Sequence, residues 1–206
     1  MKLIGREKEL AIVREHVRAG RNLAVVGPAG VGKTALVREA VPGARYCADS
    51  STVKTVCESL GFHAPDNIAR KRALLRATAG GTQCFVFDHV GHVTPKLLSL
   101  LELIHESHPM IVVTRSLAWK EVGHLKMILW DFDTLELRNL PEREACRLAD
   151  RETARLGIKV PAQDLWRLAH GHPGRILELC AQATKGRYVS AQLLDLDCRI
   201  AKLRPA

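Results

Sequence analysis

The sequence predicts an α/β fold, a sheet of parallel strands alternating with helices, followed by a small all-helical subdomain. Three observations carry this expectation. Asn22–Val26, Cys84–Asp88 and Met110–Thr114 are short apolar runs, too brief for helices, as buried parallel strands are. Helical and strand signals alternate up to Leu137, the pattern of strands joined by crossover helices. From Pro141 onward only helical periodicity remains. The expected division is therefore 1–138 for the α/β core and 139–206 for the helical part.

Arg6 to Ala19 reads as a helix with Leu10, Val13 and Val17 on one face and Gly20 as its stop. Asn22–Val26 is the first strand, and Lys33–Ala40 a helix closed by Pro42-Gly43. Ala44–Ala48 is the second strand, leading into a helix that Asp49, Ser50 or Ser51 is placed to cap. Gly61–Asn67 is a loop and Ile68–Thr78 a short basic helix. Cys84–Asp88 is the third strand, and Thr94-Pro95 opens a helix with a cap residue and a first-turn proline. Met110–Thr114 is the fourth strand and Met127–Leu137, more alternating, the fifth. The helical part is expected at Glu142–Leu156, Ala162–His170, Pro173–Thr184 and Val189–Lys202.

With 206 residues, 47% of them hydrophobic, the chain has enough apolar surface for a sizeable core, and disorder is not indicated. The N-terminus meets charge within six residues, unlike a signal peptide, and no window approaches a membrane span. No membrane partner and a cytoplasmic location are the expectation. The six cysteines are scattered without a C-x-x-C pair, which reads as reduced structural thiols. The net charge of +9 favours polyanionic partners, nucleic acid being the obvious candidate, although the Lys and Arg are spread along the chain and a triphosphate site would account for part of the surplus.

Between the first strand and the next helix lies Gly27-Pro28-Ala29-Gly30-Val31-Gly32-Lys33-Thr34, a full match to G-x-x-x-x-G-K-[ST] in the required strand–helix context. The glycines let the backbone curl so that successive N–H groups face phosphate oxygens, and the helix N-terminus adds positive potential. Lys33 is placed to reach the β- and γ-phosphates, Thr34 offers a hydroxyl to Mg²⁺, and Ala35 continues the first helical turn. Asp88, ending an apolar strand, is the expected metal carboxylate opposite the loop. P-loop ATPases commonly follow it with a glutamate that activates water, whereas this chain has His89. That imidazole either accepts a proton or packs at the strand end. Hydrolysis is accordingly expected to be slow or partner-dependent. Arg115, after Thr114, is either a γ-phosphate contact or a surface cation.

With these pieces placed, the chain resembles the AAA+/STAND branch of P-loop ATPases over nearly its whole length. Leu3-Ile4-Gly5-Arg6-Glu7, continuing to Glu9-Leu10, is similar to the "GRExEL" box of archaeal and origin-recognition-like AAA+ domains and NB-ARC-like STAND modules. Thr114-Arg115 resembles the STAND sensor, and Gly171-His172-Pro173 the "GxP" element of a helical lid. The resemblance implies a three-layer P-loop sandwich with sheet order 5-1-4-3-2 and a C-terminal all-helical lid. It implies ATP, or its product ADP, with Mg²⁺. It also implies that Gly5 and Arg6 lie against the adenine, that Pro173 packs on the base, and that Arg175 reaches the γ-phosphate as a sensor or lies on the helix surface. No arginine stands between Arg115 and Arg138, where AAA+ rings carry a finger, so Arg115 is expected to act in cis. A monomer or nucleotide-dependent dimer follows from the same gap.

Arg143, Arg147, Arg151 and Arg155 recur every four residues, but interleaved Glu142, Glu144, Asp150 and Glu152 favour a salt-bridged face, with Arg147 pairing Asp150 or Arg151 competing. Three readings stand at this point. They are a slow Mg-ATPase, an ATP-dependent switch that displays a surface to a protein partner, and a DNA-associated helper ATPase of the transposition or replication kind.

Overall fold

The computed structural model describes residues 3–63, 66–78 and 83–184. The expected helix Val189–Lys202 and Cys198 lie outside them. The chain divides into two compact units, one formed by 8–28 and 33–137 and the other, among the described residues, by 3–7, 29–32 and 138–184.

The first is the α/β unit. Its described elements are α1 (Glu7–Arg18), β1 (Asn22–Val26), α2 (Lys33–Ala40), β2 (Arg45–Cys47), α3 (Val53–Ser59), α4 (Asn67–Thr78), β3 (Phe85–Phe87), α5 (Pro95–His105), β4 (Met110–Thr114), α6 (Trp119–Val122) and β5 (Phe132–Glu136). The strands form one parallel sheet in the order β2-β3-β4-β1-β5, the expected 5-1-4-3-2 read from the other edge. The three inner strands are the apolar ones: Phe85–Phe87 and Met110–Thr114 are buried throughout, as are Leu23–Val26. At the edge, β5 buries only Phe132 and exposes Asp133, Thr134 and Glu136. That single-sided burial matches its alternating sequence.

One face of the sheet contributes Phe85, Phe87, Met110 and Val112 to a core completed by Val56 of α3, Leu97 and Leu101 of α5, and Val122 of α6. Each large side chain buried there contributes on the order of 1.5–3 kcal/mol of transfer free energy. Helix α1 buries Leu10 and Val13 and is tied to β5 by His16 Nε2, 2.9 Å from Asp133 Oδ2. Cys47 and Cys57 are buried free thiols, consistent with structural cysteines.

Two local expectations are corrected. The cap of α3 is Thr52, whose hydroxyl accepts from Thr55 N while Thr55 bonds back to the Thr52 N–H, rather than Asp49, Ser50 or Ser51. Asp49 instead accepts from Ser51 N, one turn too early. The fifth strand begins at Phe132 and not Met127, because 124–131 winds into two short 3₁₀ turns, His124–Met127 and Leu129–Asp131. Trp119–Val122 also forms a short helix between β4 and β5, where no element is expected from the sequence.

The helical unit contains α7 (Glu142–Leu156), α8 (Ala162–Ala169) and α9 (Pro173–Ala183). Ala145, Leu148 and Ala149 of α7 meet Leu165 of α8 and Ile176, Leu179 and Cys180 of α9 in its core. On α7, Arg155 pairs with Glu152 through Nη2 at 2.5 Å and Nε at 3.0 Å, a different pair from the one expected at Arg147. No helix of the described residues is long and apolar enough to cross a membrane.

Candidate functional site

Parallel pairing brings the carboxyl ends of three neighbouring strands to one edge of the sheet. Val26 is in register with Thr114, and Phe87 with Val112. Gly27, Asp88 and Arg115 therefore all leave the sheet at the same end, where open α/β sheets place their ligands.

Within the α/β unit, the Lys33 ammonium donates to the carbonyls of Gly27 at 2.6 Å and Pro28 at 2.8 Å. These bonds draw the first turn of α2 back over the start of the loop. Burial lowers the Lys33 pKa from the ordinary lysine value, Asp88 opposes that shift, and the Arg115 cation adds to it. Lys33, Asp88 and Arg115 thus share one electrostatic environment, although each comes from a different part of the chain. Arg115 itself is exposed. Thr34 is half-buried and Ala35 exposed on the same turn of α2.

Asp88 is 1% exposed. Its Oδ1 accepts from the backbone N–H of His89 at 2.8 Å, and its Oδ2 from the hydroxyl of Tyr46 on β2. Burial, and then the bond to Asp88, push the Tyr46 phenol up to about 12. His89 has a left-handed backbone, φ +52°, which costs a non-glycine residue roughly 1–2 kcal/mol. Its side chain is 72% exposed, with Nδ1 3.5 Å from Asp88 Oδ1. The alternative that His89 packs at the strand end is therefore corrected: the turn carries the ring outward.

The helical unit holds the tip of the loop, residues 29–32. His170 and Gly171 end α8 in left-handed conformations, and His172 caps α9 with Pro173 at its first turn. The Gly171-His172-Pro173 element thus has a local cause: stop, cap and restart within four residues. His172 Nδ1 accepts from Arg175 N at 3.1 Å, so its proton sits on Nε2, which donates to Ala29 O at 2.8 Å. Gly174 N donates to Gly30 O at 3.0 Å. A Cβ on Gly30 would lie 2.7 Å from His172 Cε1, and φ there is +77°, so both the space and the backbone require glycine. The Arg175 guanidinium is 3.1 Å from Glu178 Oε2.

Arg6 is buried and donates to Val31 O at 3.2 Å and Arg138 O at 2.5 Å. It joins the opening segment to the loop tip and to the start of the helical chain. Gly5 packs against α7, where a Cβ would lie 2.5 Å from Glu144 Cγ. No local pattern marks Tyr46, whose contact depends on strand register. His172 carried one, a cap residue before a proline.

A scan of protein-family models and a search of curated proteins found no match. Solved structures do match. A RuvB mutant from Thermotoga maritima aligns with TM-score 0.64 and 13% identity over 98% of this chain and 72% of that one. The Aeropyrum pernix Orc1 protein in complex with DNA aligns with TM-score 0.68 and 14% identity over 97% of this chain and 66% of that one. Both are AAA+ P-loop ATPases. The chain has the AAA+ fold. In that AAA+ fold, the five-stranded sheet supplies the loop, the strand-end carboxylate and the strand-end arginine, and a helical unit follows it.

Proposed function

We propose that the chain binds ATP with Mg²⁺ on the loop Gly27–Thr34 and hydrolyses it slowly, working as a conformational ATPase or switch of AAA+/STAND type. The observation that supports this best is the shared environment of Lys33, Asp88 and Arg115 beside the glycine-rich loop. Loop N–H groups and the Lys33 ammonium take the phosphates. Thr34 and Asp88 would hold the metal, one hydroxyl and one carboxylate being the hard oxygen donors that Mg²⁺ takes, its shell otherwise filled by phosphate and water. Among the described residues no cluster of three or more His, Cys, Asp or Glu offers a cage for a different metal. A Mg²⁺ held by Thr34 and Asp88 would neutralise charge on the phosphate oxygens. Arg115 acts in cis on the γ-phosphate, Gly5 and Arg6 shape the adenine side, Pro173 packs on the base and Arg175 reaches the γ-phosphate.

His89 sets the pace in this reading. Its exposed imidazole is less fixed in place for taking a proton from water than a glutamate held in the site. Single-turnover hydrolysis of γ-labelled ATP tests this. A slow rate, lowered further in His89→Ala, is expected, and turnover at the rate of brisk ATPases would overturn the slow-switch reading.

The exposed Arg143 and Arg147 on α7 support a second reading, a DNA-associated helper ATPase. The solved Orc1 protein is itself in complex with DNA. Stimulation of hydrolysis by duplex DNA, falling steeply with salt, would favour it.

A further inference from the structure

Asp88 has a partner that the phosphate-loop motifs do not supply. Tyr46 lies on β2, beside β3, and its hydroxyl donates to Asp88 Oδ2. The approach is built by the sheet: Cys47 is in register with Phe87, and Asp88 N donates to Cys47 O at 2.9 Å. The ring of Tyr46 is held in turn, with the Arg38 guanidinium carbon 4.5 Å from its centroid. Arg38 belongs to α2, the helix that begins at Lys33. Tyr46 therefore sits between the helix that carries the loop lysine and the strand that carries the carboxylate.

An aspartate carboxylate, joined to its chain by two rotatable bonds, presents its lone pairs in a defined direction only when both oxygens are held. Here the His89 N–H fixes Oδ1 at 2.8 Å and the Tyr46 hydroxyl fixes Oδ2. Two hydrogen bonds occupy about half of the roughly four lone-pair sites of a carboxylate, leaving one direction on each oxygen for a cation or its water.

We propose that Tyr46 is a positioning residue for the metal-bearing carboxylate, its hydroxyl setting the rotation of Asp88. This rests on the reading of Asp88 as a Mg²⁺ residue. Partners of metal-binding carboxylates typically contribute 10–100-fold to metal affinity. Tyr46→Phe keeps the ring and its stacking against the Arg38 guanidinium and removes the hydroxyl with its bonds to Asp88 and Arg38.

The test titrates Mn²⁺ into the full chain saturated with ATP and follows free Mn²⁺ by its paramagnetic resonance signal. In Tyr46→Phe, Mn²⁺ affinity should fall by about tenfold. ATP affinity in EDTA should stay as in the unmodified chain, while the thermal midpoint falls modestly because the buried Asp88 carboxylate loses a donor. Unchanged Mn²⁺ affinity overturns the inference. So does an equal loss of ATP affinity in EDTA, which would mark a general distortion of the sheet edge. Asp88→Asn separates the underlying reading: if it too keeps full Mn²⁺ affinity, Asp88 is not a metal residue and the inference falls with that reading. If Asp88→Asn loses affinity and Tyr46→Phe does not, the inference alone fails.

Discussion

The Thr114 hydroxyl donates to the Val90 carbonyl at 3.0 Å, and the Val90 N–H donates to Val113 O at 3.0 Å. One residue beyond His89, the loop after Asp88 is thus stitched to β4 through both backbone groups of a single residue. Thr114 is 3% exposed, so this bond is shielded from water. Thr114→Val keeps the shape and removes the hydroxyl, leaving a shielded carbonyl one donor short. We expect a loss of about 1–2 kcal/mol in urea unfolding. No loss would mean that the hydroxyl bond contributes nothing to holding the loop.

The loop tip is equally constrained. Gly30→Ala sets a methyl group 2.7 Å from His172 Cε1 at φ +77°. Backbone strain and the clash together should cost roughly 1–3 kcal/mol, read by chemical unfolding. Adding His172→Ala removes the clash and leaves the strain, so the double variant should be more stable than the sum of the single losses predicts. Strictly additive losses would exclude contact with His172 as a cause.

Glu152 gives the helical unit an acid-sensitive element. The hydrogen bond from Arg155 holds its carboxyl below the usual glutamate range, outweighing the opposite effect of burial. The folded pKa is lower than the unfolded one, so the unfolded chain takes up the proton first as pH falls. The stabilisation is therefore present above about pH 4.3 and lost as pH drops through the folded value. Thermal midpoints recorded against pH should fall less steeply below about 4.3 for Glu152→Gln than for the unmodified chain. Identical slopes would show that the pair contributes nothing to acid stability.

Much of this architecture is legible in the sequence where the signal is local. β1, α2, β4 and α7 begin and end where apolar period, glycine or proline place them. Met127–Asp131 misleads because its four consecutive apolar residues run up to Phe132 and read as part of the strand. The segment winds with a period near three, burying Leu125, Ile128 and Leu129 while Met127 and Trp130 face outward. The same contrast holds at the site. The loop, Asp88 and Arg115 stand at a motif or a strand end and can be read directly. Tyr46 reaches Asp88 across 42 residues through strand register, and His172 reaches Ala29 across 143. Neither partner is fixed by local pattern, so only the fold reveals them.

Nucleotide binding by the phosphate loop is tested most directly by calorimetric titration of ATP with Mg²⁺ into the full chain and into Lys33→Ala. The loop carbonyls of Gly27 and Pro28 that Lys33 engages remain in the variant, while the phosphate-facing charge is lost. Removing a charge-assisted hydrogen bond of about 1.5–3 kcal/mol predicts a loss of affinity on the order of 10–100-fold. Binding by the unmodified chain together with that loss in Lys33→Ala is the expected result. Equal affinity in the two chains, or no binding by either, would contradict the assignment of Gly27–Thr34 as the triphosphate site.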